Sequence, residues 1–403
     1  MPKALNILKG DKGLWIVCIL LSIISLVAVF SASGLTANTH SSTPMRFFVK
    51  HLVFVVAAYV IAIGVSFVNY RKLSKWSLWL LLAVLVLLVY VAMSHTRWIK
   101  LPLIGRFQPS ELAKVLVVMV TARQLALQKD EVDDPSVFKR VSLTVCAVAG
   151  VVLFDNFSMA ALVFITCFTL MYFGGVNRKW WLRVMLACLL LVGGGLGYFA
   201  THEGVEVGRS TTWVHRIDTW MHPNPNELSQ ENIARMAIAS GGLTGNGVGS
   251  TVHARLMTEA HNDFIFAIII EEMGAWFGIL IFVLYSILFM RCIRTARNCR
   301  GRFGSLMVLG LGILIYYQAL VNMCVAVGAL PVTGQTLPLI SYGGTAYLCM
   351  GIIIGAIQSV ARDNTRKAQQ QTAAAGQQSY IETPGEADFG EQTLSENQNT
   401  VQS

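Results

Sequence analysis

Residues 259–274 read EAHNDFIFAIIIEEMG, and they stand where a polar stretch, 201–262, runs into a long apolar one. The join puts three carboxylates, Asp263, Glu271 and Glu272, at or inside a membrane boundary. A carboxylate in hydrocarbon costs roughly 2.5–3.5 kcal/mol on insertion scales, so it stays there only with a partner or a task. Asp263, at the polar end, is the foremost candidate for chemistry. Helical spacing turns Glu271 about 80° from Asp263 and Glu272 about 180°, which makes Glu271 the expected companion. At about 1.5 Å per residue the two lie roughly 12 Å apart in depth, too far to share one bond as acid and base. The glutamate pair is therefore read as tying helices together.

Composition carries the membrane assignment. Hydrophobic residues make up 54% of the chain and charged ones 13%, with a mean hydropathy of +0.57, which excludes an ordinary soluble domain. Runs apolar enough to cross about 30 Å of hydrocarbon occur near 13–33, 48–68, 76–94, 110–127, 141–155, 158–176, 181–200, 263–290, 304–328 and 338–360. The expected fold is an all-α integral membrane protein of about ten transmembrane helices. The run at 141–155 is short, and Asp155 and Asn156 separate it from the next. The first run has no small-residue cleavage site and is read as a retained helix.

With the N-terminus in the cytoplasm and alternating spans, twenty of the 31 Lys and Arg fall on the cytoplasmic side and nine on the outer side. That bias predicts both termini inside and a large extracytoplasmic loop, 201–262, between the seventh and eighth helices. The membrane domain is expected over 1–361. Residues 362–403, rich in Gln, Ala, Thr, Glu and Ser, read as a disordered cytoplasmic tail. The net charge of +9 is accounted for by basic loops beside anionic membrane lipid, and no nucleic-acid partner is called for. All eight histidines fall on the outer half without metal-site spacing and are read as polar loop residues. The eight cysteines spare the long outer loop, so no disulfide framework is implied.

The outer face gathers the remaining polar features. The short loop SHTRWIKLPLIGRF, 94–107, keeps Arg97, Lys100 and Arg106 against the positive-inside trend, a charge that suits a phosphate or, equally, lipid headgroups. Pro109, Ser110 and Glu111 then open a helix, and Lys114 follows Glu111 at i+3, where an ion pair lowers the cost of burying both. In PVTGQTLPLISYGGTAYL, 331–348, Pro and Gly break the approach to the last span. Irregular backbone at that depth lines a cavity or is buried in protein, so its amides and the Ser341 hydroxyl are ligand candidates. Gln318 and Asn322, at i and i+4 on the preceding span, either glue helices or face the same cavity. The Gly-rich stretch ASGGLTGNGVGS, 239–250, looks like a phosphate loop but follows no predicted strand.

FQPSELAKV at 107–115, RWI at 97–99, AIASGGLTGNGVG at 237–249, HNDFIFAIIIEEMG at 261–274 and PVTGQTLPLISYGGT at 331–345 occur in one order. In that order they resemble the SEDS family of bacteria (shape, elongation, division and sporulation), and the likeness runs from the first span to the last. The resemblance implies a peptidoglycan glycosyltransferase that polymerises lipid II into β-1,4 glycan strands at the outer face of the plasma membrane. It also implies a class B penicillin-binding protein as transpeptidase partner, together with other division proteins and an undecaprenyl-pyrophosphate-linked glycan. By motif, the family's outer aspartate falls on Asp263, as general base or metal ligand, its loop tryptophan on Trp98, and its acid and lysine pair on Glu111 and Lys114. Lys100, Arg106, Lys114 and Arg216 are candidates for neutralising the pyrophosphate, and a divalent cation, Mg or Mn, could share that work. One position departs: the family's usual aspartate before the sixth span aligns with Asn156. The wording of 331–344 is nearer the division branch than the elongation branch, which implies a septal location. A lipid II flippase and a non-catalytic division scaffold are the alternatives; a transporter would show paired broken helices.

Overall fold

The computed structural model describes residues 10–36, 44–94, 96, 98–101, 105–128, 134–201, 210–222, 224, 229–257 and 262–381. Arg97, the start of the 261–274 motif and the tail beyond 381 lie outside them.

The described residues are almost wholly helical: α1 (Lys12–Thr36), α2 (Pro44–Phe67), α3 (Tyr70–Met93), α4 (Pro109–Leu127), α5 (Pro135–Asp155), α6 (Phe157–Phe173) and α7 (Arg178–Thr201) lead to the long polar loop. That loop holds α8 (Ser210–Met221), α9 (Gln230–Gly241) and a 3-10 turn, His253–Leu256. Then follow α10 (Ile265–Met273), α11 (Ala275–Arg297), α12 (Arg302–Ala326) and α13 (Gly344–Ile381). The loop between α3 and α4 is a small antiparallel hairpin, β1 (Ile99–Leu101) with β2 (Gly105–Phe107).

Local chemistry sets many boundaries. Asn69, Asp134, Asn156 and Ser229 accept hydrogen bonds from first-turn amides of α3, α5, α6 and α9, satisfying donors that a helix cannot pair internally. Pro109 and Pro135 occupy first-turn positions, where a missing N–H costs nothing. Asn156 thus serves as the joint between two helices, ending α5 and capping α6.

Among the described residues seven helices are long and apolar enough to cross a membrane: α1, α2, α3, α5, α11, α12 and α13, with α6 a shorter apolar helix. This is a membrane-spanning helical protein. Packing sorts the helices. α4 and α12 lie at the centre, α4 against α3, α5, α6 and α12, while α2 lies along α13. The α2–α13 seam is close because Gly351 and Gly355 face Ala58 and Ala62, where a Cβ would strike backbone. α4 is buried almost throughout its length, although it carries Glu111 and Lys114.

Three sequence expectations change in the structure. The run 263–290 is not one helix: Gly274, at φ +85°, breaks it into α10 and α11. The last helix begins at Gly344 rather than 338, and helix continues past 361 to Ile381, where the sequence suggested a disordered tail from 362. His51 is not a polar loop residue; it is fully buried in α2, where its Nε2 meets Ser25 Oγ at 2.7 Å.

Candidate functional site

The segment 327–343 between α12 and α13 decides the site's geometry. Pro331 and Pro338 have no N–H, and Gly328, Gly334 and Leu339 have φ of +79°, +65° and +63°. Leu339 is a non-glycine residue in the left-handed region, a conformation that persists only where the surroundings impose it. Here they do, because side chains of five helices hold its carbonyls. Arg216 Nη1 of α8 donates to Val332 O (3.0 Å), Asn322 Nδ2 to Gln335 O (2.7 Å) and Gln318 Nε2 to Thr336 O (2.9 Å). Tyr285 OH of α11 donates to Pro338 O, Tyr347 OH to Leu339 O (2.6 Å), and Ser25 Oγ of α1 to Ile340 O (2.7 Å). Ser341 Oγ accepts from Leu337 N at 2.7 Å, closing the turn. An irregular backbone is tolerated at membrane depth on these terms, with its polar groups paired inside protein.

A buried polar relay runs along this segment. Lys114 Nζ lies 2.7 Å from Glu111 Oε2 and donates to Gln318 Oε1 at 2.9 Å. One turn along α12, Asn322 Nδ2 donates also to Asp263 O at 2.8 Å, so one amide clamps Asp263 to the carbonyl of Gln335. Asp263 is half-buried in the turn before α10, and a Cβ on Gly334 would lie 3.6 Å from its Oδ2. The ion pair, Gln318, Thr336, Ser341 and Tyr347 line a narrow cavity under the segment. Asp263, Glu111, Lys114, Gln318, Asn322 and Ser341, far apart in sequence, thus converge on one stretch of backbone.

The hairpin leads directly into α4 and rests against α13. Lys100 and Arg106 are direct cross-strand partners on it, both exposed, with Trp98 beside them at 42% exposure. Like charges placed opposite each other on a two-stranded ribbon are destabilising unless an anion lies between them.

Glu271 and Glu272 serve elsewhere. Glu271 is buried and accepts from Thr251 Oγ1, Val252 N (3.0 Å) and His253 Nδ1 (2.8 Å). Glu272 accepts from Ser31 Oγ of α1 and from Gly249 N at 3.3 Å. The expected pairing of Glu271 with Asp263 is not found among these contacts: Asp263 precedes the helix, so the 100° step does not apply to it. The Gly-rich stretch is a backbone dock. A Cβ on Gly241 or Gly245 would collide with the backbone of residues 270–272, and one on Gly274 with Leu243 and Thr244.

Arg216 and its neighbours support the segment from outside the membrane helices. Arg216 lies over the Trp213 ring at 5.4 Å, and Trp220 Nε1 donates to Gly328 O at 3.0 Å. Burial raises the Glu231 carboxyl above its ordinary range, opposed by the Val332 amide and by Arg235 and Arg216. Ser25, Tyr285, Tyr347 and Glu231 escaped the sequence reading. Each contacts a backbone group of the irregular segment, at separations from 8 residues for Tyr347 to 315 for Ser25, and such contacts leave no periodic spacing to read.

The family model of the "cell cycle protein" group FtsW, RodA and SpoVE matches residues 11–366. The chain belongs to this family. Its members include the probable peptidoglycan glycosyltransferase FtsW of Coxiella burnetii, 31% identical over 365 residues, covering 86% of this chain and 95% of that protein. The like-named protein of Geobacter sp. is 29% identical over 361 residues, covering 87% and 96%. Among solved structures, a chain of a peptidoglycan synthase complex that coordinates polymerization and crosslinking shares the FtsW/RodA/SpoVE fold. It has a TM-score of 0.71 at 23% identity, covering 88% of this chain and 98% of its own. Thermus thermophilus rod shape determining protein RodA has a TM-score of 0.62 at 23% identity, covering 88% and 97%.

Proposed function

We propose that this chain is a peptidoglycan glycosyltransferase of the division type, polymerising lipid II at the outer face of the bacterial plasma membrane with a class B penicillin-binding protein as partner. The names of relatives at about 30% identity over nearly the whole chain support the activity. The observation that carries the assignment of residues is the clamp at Asn322, which fixes Asp263 against the segment that Gln318, the partner of Lys114, also holds.

In this reading the 4-hydroxyl of the acceptor sugar attacks the anomeric carbon of the donor. Its proton passes to the Asp263 carboxylate, the new C–O bond forms with inversion, and the bond to the lipid pyrophosphate breaks. A positioned base of this kind contributes about 100- to 10,000-fold. The pyrophosphate needs its charge neutralised more than it needs a proton, and the opposed Lys100 and Arg106 supply that with Trp98 beside them. Lys114 is held by Glu111 and Gln318, so its charge is fixed in direction before substrate arrives. Among the described residues no three His, Cys, Asp or Glu side chains gather as a metal site. A Mg or Mn ion, where bound, would be held by Asp263 and would supply charge neutralisation for the pyrophosphate.

The test is glycan polymerisation from purified lipid II by the chain with its cognate transpeptidase, comparing wild type with Asp263→Asn. Polymer from the wild type and none from the variant is the expected result. Polymer from both removes Asp263 from the chemistry, and polymer from neither favours a flippase or a scaffold.

A further inference from the structure

At the other end of α12 from Gln318 and Asn322, the α11–α12 turn and the extension of α13 flank an open groove of about 480 Å³. Asn298, Arg300, Asn364, Thr365, Lys367 and Gln371 line it, and no carboxylate does. Among the described residues Arg300 makes no ion pair. Lys367 meets Asp363 at 2.5 Å while its side chain stays 31% exposed. The walls are joined by Asn364 Nδ2, which donates to Thr295 O of α11 at 3.0 Å. The unpaired Arg300 guanidinium, the half-exposed Lys367 ammonium that Asp363 shares, and the amide and hydroxyl donors form a receptor for a phosphate.

The depth identifies the source of that phosphate. The Arg362 guanidinium lies 4.0 Å over the Phe67 ring at the end of the apolar run of α13. Asn364 to Gln371 follow 2–9 residues later, which is roughly 3–14 Å along a helix. A headgroup layer extends about 5–8 Å beyond the hydrocarbon, so the near wall of the groove lies within it. Basic pockets between transmembrane helices at this level receive anionic headgroups.

We propose that this groove binds the phosphate headgroup of an anionic phospholipid of the cytoplasmic leaflet, fastening the α13 extension to the α11–α12 turn. The full-length protein in micelles with equal phosphatidylglycerol and phosphatidylcholine, read by native mass spectrometry, tests it independently of polymerase activity. Phosphatidylglycerol is retained preferentially by the wild type, and the preference falls about fivefold for Arg300→Gln or Lys367→Gln and about 25-fold for both. The charge-keeping pair Arg300→Lys with Lys367→Arg retains it. Equal retention of the two lipids by the wild type, or an unchanged preference in the double glutamine variant, overturns the proposal. So does displacement of the lipid by millimolar inorganic phosphate, which assigns the groove to a soluble anion. The wild-type preference and the phosphate competition decide the matter even if a variant folds poorly.

Discussion

Glu111 and Lys114 show how a single charge behaves in this protein. Each is buried, and each is neutralised mainly by the other. Removing one partner of a buried pair leaves an uncompensated charge and costs about 3–5 kcal/mol, whereas replacing both by apolar groups of similar size is far milder. Glu111→Gln or Lys114→Met is therefore expected to lower the thermal transition in micelles sharply, and the double variant to recover most of it. Additive losses would show that the two are not coupled. Glu231 behaves oppositely, because burial lifts its carboxyl above the ordinary range. A raised acid stabilises the fold below its unfolded pKa, and that contribution is lost as pH rises through the folded one. Glu231→Gln is expected to flatten this loss in a stability profile across the carboxylate range; a profile parallel to wild type refutes it. The Glu111–Lys114 pair was legible in the sequence because i, i+3 spacing on a helix is a local fact. The partners of Glu271 were not, since their donors come from residues 251–253, which only folding brings near.

At the scale of elements, two features set the geometry: the break at Gly274 and the pinned segment 327–343. Gly274 combines φ of +85° with a Cβ position inside the backbone of Leu243 and Thr244, whereas Gly175 has the same φ and open space around it. Gly175→Ala should cost only the left-handed strain, about 1–2 kcal/mol. Gly274→Ala should add a backbone clash and displace α10 from the Gly-rich dock, measured as a far larger fall in thermal stability. Similar falls for both would place the whole cost in φ. On the pinned segment, Tyr285→Phe and Tyr347→Phe each remove a donor from a buried carbonyl. Each is expected to cost about 1 kcal/mol in stability and to cut polymerisation by more than that loss explains. Polymerisation that merely tracks stability would reduce these tyrosines to packing.

For the whole molecule, the proposed topology of ten spans with both termini inside places the 242–250 loop outside and the 174–177 turn inside. In a variant freed of its native cysteines, a cysteine at Ser250 should react with an impermeant thiol reagent on intact cells, and one at Asn177 only after lysis. The reverse pattern would invert the chain in the membrane. The two ends of α12 then divide the labour, with the polar relay at Gln318 and Asn322 outside and the basic groove at Arg300 inside.

The order of amino acids already marks a helical membrane protein, roughly where its helices run, and which polar residues stand out against hydrocarbon. Those are consequences of composition and short-range periodicity, and burying a charge in lipid is costly enough to make each such residue conspicuous. It takes the folded chain to show that Gly274 splits one apolar run in two, that Asp263 precedes its helix, and that side chains of five helices hold the carbonyls of 332–340. Those outcomes depend on backbone groups finding partners on other elements, from 8 to 315 residues away, and a hydrogen bond to a carbonyl places no constraint on which residue carries it.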